Sequence, residues 1–399
     1  MACQNSVEQQ QEHTGRGEET GVPQEKPGPD IRTAAEQTGR WLPLLQGKRV
    51  GVVANQTSMI GMTHLVDTMI SLKINVVKVF APEHGFRGDH GAGEKVKDGK
   101  DPVTGLTVTS LYGSHKKPTK EDLADVDVVV FDIQDVGARF YTYISTMTYV
   151  MEACAENKKP CIIFDRPNPN GFYVDGPVLQ PELSSFIGLH PVPIVHGMTV
   201  GEYAGMVNGE GWLKDSIQCD ITVIPCANWT HRMNYDLPVK PSPNLPNMES
   251  VYLYPSLCLF EGTVMSVGRG TDKPFQQFGH PDLKSGTTTF TPVSIPGVAA
   301  DPKWEGKVCK GFDVSMFSDL FIKNAGQIYL FWLLESYKEV GGSDAFFRSS
   351  FDKLAGTTEL RKQVMTNVTE EEIRKSWTPG ITAFKKIRKK YLLYTDFEP

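Results

Sequence analysis

Four short apolar runs each stop at a polar residue of the kind that does chemistry. Arg49–Ala54 runs into Asn55, and Ile74–Pro82 into Glu83-His84-Gly85-Phe86-Arg87-Gly88. Asp127–Phe131 runs into Asp132-Ile133-Gln134-Asp135, and Cys161–Phe164 into Asp165-Arg166-Pro167-Asn168. Short continuous apolar runs bounded by such signals read as buried strands. Between them, Thr63–Leu72 places Leu65, Val66, Met69, Ile70 and Leu72 at helical spacing, and Tyr141–Asn157 has helical length. Repeated strand, crossover and strand predicts a parallel sheet. In an open parallel sheet all four endings lie on one edge, where such folds bind ligands.

The weaker patterns fill in the rest. Leu106–Leu111 alternates like a short strand, and Glu121–Ala124 reads as a short helix. Residues 89–118, rich in Gly, Lys and Asp, form a long insertion after Glu83 that can fold over the site. Val200–Val207 reads as a helix closing the first domain. Beyond it the pattern is α+β: a strand at Asp220–Pro225, an irregular proline-rich loop at Pro238–Pro246, and helical segments over Ser315–Tyr337. Thr369 with Glu372 is a capping box opening a helix, which Pro379-Gly380 is expected to interrupt. The fold class is therefore α/β: a tether over 1–38, a Rossmann-like parallel-sheet domain over 39–210, and an α+β domain over 211–399.

A length of 399 residues agrees with about two domains. The net charge of −6 argues against a nucleic-acid partner, and no apolar run approaches bilayer-spanning length. The seven cysteines show no CxxC pair and no zinc-type spacing, and Cys161 and Cys258, inside apolar runs, read as buried thiols. Cys3 differs, because it heads a polar stretch to about Asp30 that cannot bury a core. That arrangement resembles the lipidated first residue of a mature bacterial lipoprotein. It implies a cell-envelope location, periplasmic or outer-membrane, with membrane contact only through Cys3. An incidental cysteine in a disordered terminus is the plain alternative.

Among chemical candidates Glu83 comes first. It stands at a strand end beside Gly85 and Gly88, which let backbone approach a ligand, and Phe80, Pro82 and Phe86 would desolvate its carboxyl. Desolvation raises a carboxyl pKa, as a general acid needs. The plain reading pairs Glu83 with Arg87. Asp132, Gln134 and Asp135 cluster with Arg139, Tyr141 and Tyr143; an Asp-x-x-Asp here can hold a sugar hydroxyl or cap a helix. Asp165-Arg166 lies on a proline-stiffened loop, and His196 follows an apolar run just before the cap-like Thr199. Glu261 and Gly268-Arg269-Gly270 sit in the second part, where the guanidinium suits a carboxylate or phosphate. Phe275, Phe278 and His280 can stack on a sugar ring or merely pack. Asn55 is followed by Gln-Thr-Ser-Met-Ile-Gly, not a dinucleotide fingerprint, and there is no P-loop, G-x-S-x-G or HExxH. No cofactor and no metal are expected.

Taken together, these segments resemble the exo-β-N-acetylmuramidase family (NamZ-like). The matching stretches are Gly51-Val-Val-Ala-Asn-Gln-Thr, Phe80-Ala-Pro-Glu-His-Gly-Phe-Arg-Gly, Asp132-Ile-Gln-Asp-Val-Gly-Ala-Arg-Phe-Tyr-Thr-Tyr, Asp165-Arg-Pro-Asn-Pro, Pro193-Ile-Val-His-Gly-Met-Thr, Ser242-Pro-Asn-Leu-Pro and Glu261–His280. The resemblance implies a glycosidase removing β-1,4-linked N-acetylmuramic acid from the non-reducing end of peptidoglycan fragments. It also implies a smaller C-terminal domain and a site in the cleft between the two, with Glu83 at the position of the family's catalytic glutamate. Glycoside hydrolysis normally needs a second group opposite the acid. Asp132, Asp135, Asp165 and Glu261 are the candidates, and Arg269, Arg87 or Arg166 can clamp the lactyl carboxylate. Asn55, His84, Gln134, Arg139, Tyr141 and His196 complete the expected binding set. Two other readings stay open: a non-catalytic peptidoglycan- or sugar-binding lipoprotein, and a hydrolase of another amino-sugar glycoside.

Overall fold

The structure is a computed structural model that describes residues 30–88 and 98–399. The expected anchor at Cys3 and the first nine residues of the 89–118 insertion, 89–97, lie outside the described residues.

A seven-stranded sheet organises the first half. Its strands are β1 (Arg49–Ala54), β2 (Asn75–Ala81), β3 (Gly99–Lys100), β4 (Thr107–Ser110), β5 (Val128–Asp132), β6 (Cys161–Phe164) and β7 (Ile221–Ile224). They lie in the order β3-β4-β2-β1-β5-β6-β7, parallel throughout except for β3 against β4. Strand order reverses between β1 and β5, so the crevice a doubly wound sheet offers a ligand opens beside their carboxyl ends.

Every residue of β5 is buried, as expected of a strand covered on both faces. Val128 and Val130 pack into a core with helices α1 (Thr38–Leu45) and α2 (Leu65–Ser71). Val129 and Phe131, pointing the other way, join the core that contains α3 (Tyr143–Glu156) and α4 (Val200–Gly209). Thr199 caps α4: its hydroxyl accepts from the Glu202 amide at 3.3 Å while the Glu202 carboxylate accepts from the Thr199 amide at 2.9 Å.

The second half begins with α5 (Met248–Leu257), capped by Asn247 and Ser250, which tightens into the 3₁₀ turn Cys258–Gly262. Then come a three-stranded antiparallel sheet, β8 (Gln277–His280), β9 (Thr288–Phe290) and β10 (Cys309–Asp313), and helices α6 (Phe331–Glu339), α7 (Phe351–Ala355), α8 (Glu359–Met365) and α9 (Glu370–Arg388). One hydrophobic cluster runs from Phe131 and Met147 through Tyr254 and Phe278 to Phe384, so the two halves share a core. Ile31–Pro399 form a single compact unit.

Several boundaries differ from the sequence reading. The packed chain starts at Ile31 rather than after residue 38, since Arg32 bridges to Ala227 and the Ala34 amide donates to the Asp165 carbonyl at 3.0 Å. β7 lies beyond the expected boundary at 210, yet it pairs parallel with β6 and completes the first sheet. Glu121–Ala124 forms turns instead of a helix, being too short to repay nucleation. α9 runs straight through Pro379. A mid-helix proline costs about 3 kcal/mol, but Ile373, Trp377 and Phe384 bury one stripe on both sides of it, and that burial holds the helix.

Candidate active site

β2 delivers Glu83 to the carboxyl edge of the sheet. The chain turns there through left-handed backbone at His84 (φ 73°), Gly85 (φ 80°) and Gly88 (φ 76°). A histidine in that region is strained, and such strain concentrates at functional sites. The Glu83 carboxylate, half-buried, accepts from the Tyr112 hydroxyl at 3.0 Å and the Thr142 hydroxyl at 3.4 Å. Tyr143 donates to the Glu83 carbonyl at 3.4 Å. Arg87 points elsewhere, bridging Asp67 at 3.0 Å and Asp101 at 2.8 Å. Hydrogen bonds from Arg87 and Thr104 outweigh burial and hold the Asp101 carboxyl far below the usual range.

A cavity of about 200 Å³ opens over Glu83. His84 and the Phe140–Tyr143 segment line one side, and Ser242, Asn244, Tyr254, Glu261, Arg269 and Phe275 from the second half line the other. Its walls are aromatic. Tyr254 meets Phe140 and Phe275 edge to face with centroids 5.3 and 5.0 Å apart, and Tyr141 meets Tyr143 likewise at 5.0 Å. Tyr141 is fixed by donating its hydroxyl to the Pro241 carbonyl at 2.7 Å. Two carboxylates line this cavity, Glu83 and Glu261.

Glu261 rides on the 3₁₀ turn after α5. Arg269 grips its Oε2 through Nε at 3.0 Å and Nη2 at 2.9 Å, and stacks over Phe275 at 5.0 Å. Lys303 braces the same turn from behind. Its ammonium lies 2.7–3.1 Å from the carbonyls of Phe260, Glu261, Thr263 and Met265. Burial pushes the Lys303 ammonium down to about 8, against the pull of Glu261. At Glu261 the balance reverses: burial pushes the carboxyl up, but the charges of Arg269 and Lys303 outweigh it and hold the group below its usual value. Glu261 is therefore an anion at neutral pH.

The remaining sequence candidates are placed away from the cavity lining. Asp132 is wholly buried and bound by Arg166 at 2.7 Å through Nε and 2.8 Å through Nη2, a sealed bidentate pair that ties β5 to the loop after β6. Asp165 accepts from Thr199, Tyr394 and the Gly201 amide, so it holds the start of α4 and the chain's end; burial pushes it up to about 6. Asp135 accepts from the Gly137 amide at 2.7 Å, a turn contact rather than a helix cap, and burial pushes its carboxyl up to about 7. His196 lies 3.9 Å from it, and burial pushes that imidazole down to about 3. Gln134 donates to the Asp135 and Pro167 carbonyls, and Asn55 accepts from the Thr57 amide and hydroxyl; both brace turns. Arg139 is buried among carbonyls of Pro177, Val192, Leu354 and Ala355, stitching the halves together behind the cavity wall. Burial alone drives its guanidinium down to about 9.

Thus Glu83, His84, Tyr141, Glu261 and Arg269 come together, whereas Asn55, Arg87, Asp132, Gln134, Asp135, Arg139, Asp165, Arg166 and His196 form the frame behind them. The sequence reading missed Tyr112, Thr142, Tyr254 and Lys303. Tyr112 had a signal, the end of β4 inside the insertion. Lys303 had none, because the carbonyls it holds are about forty residues away in the chain.

Known proteins match this chain over almost its whole folded length. Residues 50–249 match the model of the N-terminal domain of the exo-β-N-acetylmuramidase NamZ, and residues 252–394 match that of its C-terminal domain. A curated relative from Bacillus subtilis (strain 168), the peptidoglycan β-N-acetylmuramidase NamZ, is 42% identical over 372 residues, 88% of each chain. A crystal structure of a DUF1343 family protein from Bacteroides fragilis NCTC 9343 is 47% identical, with a TM-score of 0.86 over 92% of this chain and 100% of that one. A second such protein from the same organism is 29% identical, with a TM-score of 0.75 over 92% and 99%.

Proposed function

The chain belongs to the exo-β-N-acetylmuramidase NamZ family, and from that premise we propose that it hydrolyses the β-1,4 bond of N-acetylmuramic acid at the non-reducing end of peptidoglycan fragments. The observation that carries this reading is the meeting of Glu83 and Glu261 in one aromatic-walled cavity. Glycoside hydrolysis uses a carboxyl that protonates the departing oxygen and an anion that faces the positive charge developing on the sugar ring. Glu83 takes the first role and passes its proton to the leaving oxygen. Glu261, kept ionised by Arg269 and Lys303, takes the second. The edges and faces of Tyr141, Tyr254 and Phe275 supply apolar surface for a sugar ring.

Cell-envelope placement with a lipid on Cys3 belongs to the same proposal, supported by the polar stretch that Cys3 heads. A chromogenic β-N-acetylmuramic acid glycoside, with the β-N-acetylglucosamine analogue as control, tests the activity. Cleavage of the first is expected. Cleavage of neither would favour a binding protein, and cleavage of the second alone would favour another amino-sugar hydrolase.

A further inference from the structure

At the Glu261–Arg269 pair lies a second cavity of about 240 Å³, lined by Glu261, Ser266, Arg269, Asp301, Lys303 and Arg348 among others. It shares Glu261 and Arg269 with the cavity over Glu83, so the two spaces adjoin at that ion pair. The second space holds three cations, Arg269, Lys303 and Arg348, against two carboxylates, Glu261 and Asp301. Their charges are not equally committed. Arg269 is engaged by Glu261, and the Lys303 ammonium is spent on backbone carbonyls. Arg348 is exposed, and among the described residues its guanidinium has neither a hydrogen bond nor an ion pair. Its backbone, by contrast, is held, with the amide donating to the Gly262 carbonyl at 2.8 Å. The side chain is thus a guanidinium whose donors are free of hydrogen bonds, held by its backbone against the turn that carries Glu261 and acting on that carboxylate by charge alone.

We propose that this second cavity seats the anionic arm of the substrate, the carboxylate borne by the lactyl group of muramic acid, and that Arg348 is the residue that binds it. The inference rests on the activity proposed above. Muramic acid differs from glucosamine by that lactyl ether, so recognising it needs a cation with free hydrogen-bond donors beside the ring pocket, and Arg348 supplies one. A guanidinium pairs with a carboxylate through two parallel hydrogen bonds, which makes it selective for that group over a neutral one. Arg87 and Arg166 are excluded from the task because Asp67, Asp101 and Asp132 already occupy them.

The test is Arg348→Gln assayed on the muramic acid glycoside and on the same glycoside with its lactyl carboxylate methylated. A charge-assisted hydrogen bond contributes about 1.5–3 kcal/mol, which converts to roughly a 10- to 100-fold loss. Wild type should therefore prefer the free acid over the ester by about that factor, and Arg348→Gln should lose the preference through a raised KM. Arg348→Lys should restore part of it. An unchanged acid-to-ester preference in Arg348→Gln overturns the inference while leaving the activity standing. If wild type cleaves neither substrate, the activity proposal fails. Calorimetric binding of free N-acetylmuramic acid against N-acetylglucosamine then decides the inference by itself, with equal affinities in wild type overturning it.

Discussion

Asp132–Arg166 and Glu261–Arg269 are the same chemical unit in two settings. Both are carboxylate–guanidinium pairs, the first at the end of β5 and the second on the 3₁₀ turn after α5. The first is sealed, with side-chain exposures of 0% and 2%; the second is open, with 26% for each partner. A sealed pair has no approach for a substrate and serves to join β5 to the loop after β6. The open pair lines both of two adjoining cavities. The difference teaches that a paired carboxylate becomes a functional candidate only when the chain packed around it leaves a cavity beside it.

The comparison can be broken by separating activity from stability. The largest effect is expected from Glu83→Gln, which keeps the shape of the side chain but removes the transferable proton. Turnover should fall by about 10³-fold or more with an unchanged melting temperature. Near-normal turnover would remove Glu83 from its role.

Asp132→Asn should do the reverse. Leaving the buried Arg166 without its counter-charge costs about 3–5 kcal/mol, seen as a lower denaturation midpoint, while kcat of the folded protein stays near wild type. A stable Asp132→Asn with lost turnover would mean that the sealed pair belongs to the reaction after all.

Glu261→Gln should resemble Glu83→Gln on a smaller scale, with a loss on the order of 10²-fold and little change in stability, because the open pair is screened by solvent. If the melting temperature falls more than the rate does, Glu261 is a brace like Asp132.

The smallest effect concerns pH. Asp135 is held near 7 against an ordinary value of 3.8, chiefly by burial. In the folded state its proton is bound more tightly than in the unfolded state. The stability it contributes is therefore complete below about pH 4 and is lost as pH rises to about 7. Asp135→Asn should flatten that part of the stability-against-pH curve without altering relative turnover. An unchanged slope would mean that Asp135 is not buried as an acid.

Much of the fold was legible because its signals are local. The apolar runs of β1, β5 and β6 are buried on both faces and so are continuous in sequence. The capping box at Thr369 is a four-residue pattern found where expected, and the cap-like Thr199 does cap α4. β7 was placed in the wrong half because a short strand carries no label for the sheet it will join. The helix through Pro379 was hidden because the burial that holds it comes from tertiary neighbours.

The site divides along the same line. The sequence by itself determined that polar residues end the strands on one edge, and Glu83 stands there because β2 stops there. The strand-end pattern alone did not separate Glu83 from Asp132 or Asp165, which end strands in the same manner; the motif resemblance put Glu83 first and left its partners open. Only the tertiary structure decided that, by bringing Glu261, Arg269 and Tyr254 from the second half over the end of β2. It also set Arg166 and Tyr394 against the other two carboxylates. The physical reason is that strand formation depends on neighbours along the chain, whereas a carboxylate's access, charge and partners depend on chain from far away in sequence that packs beside it.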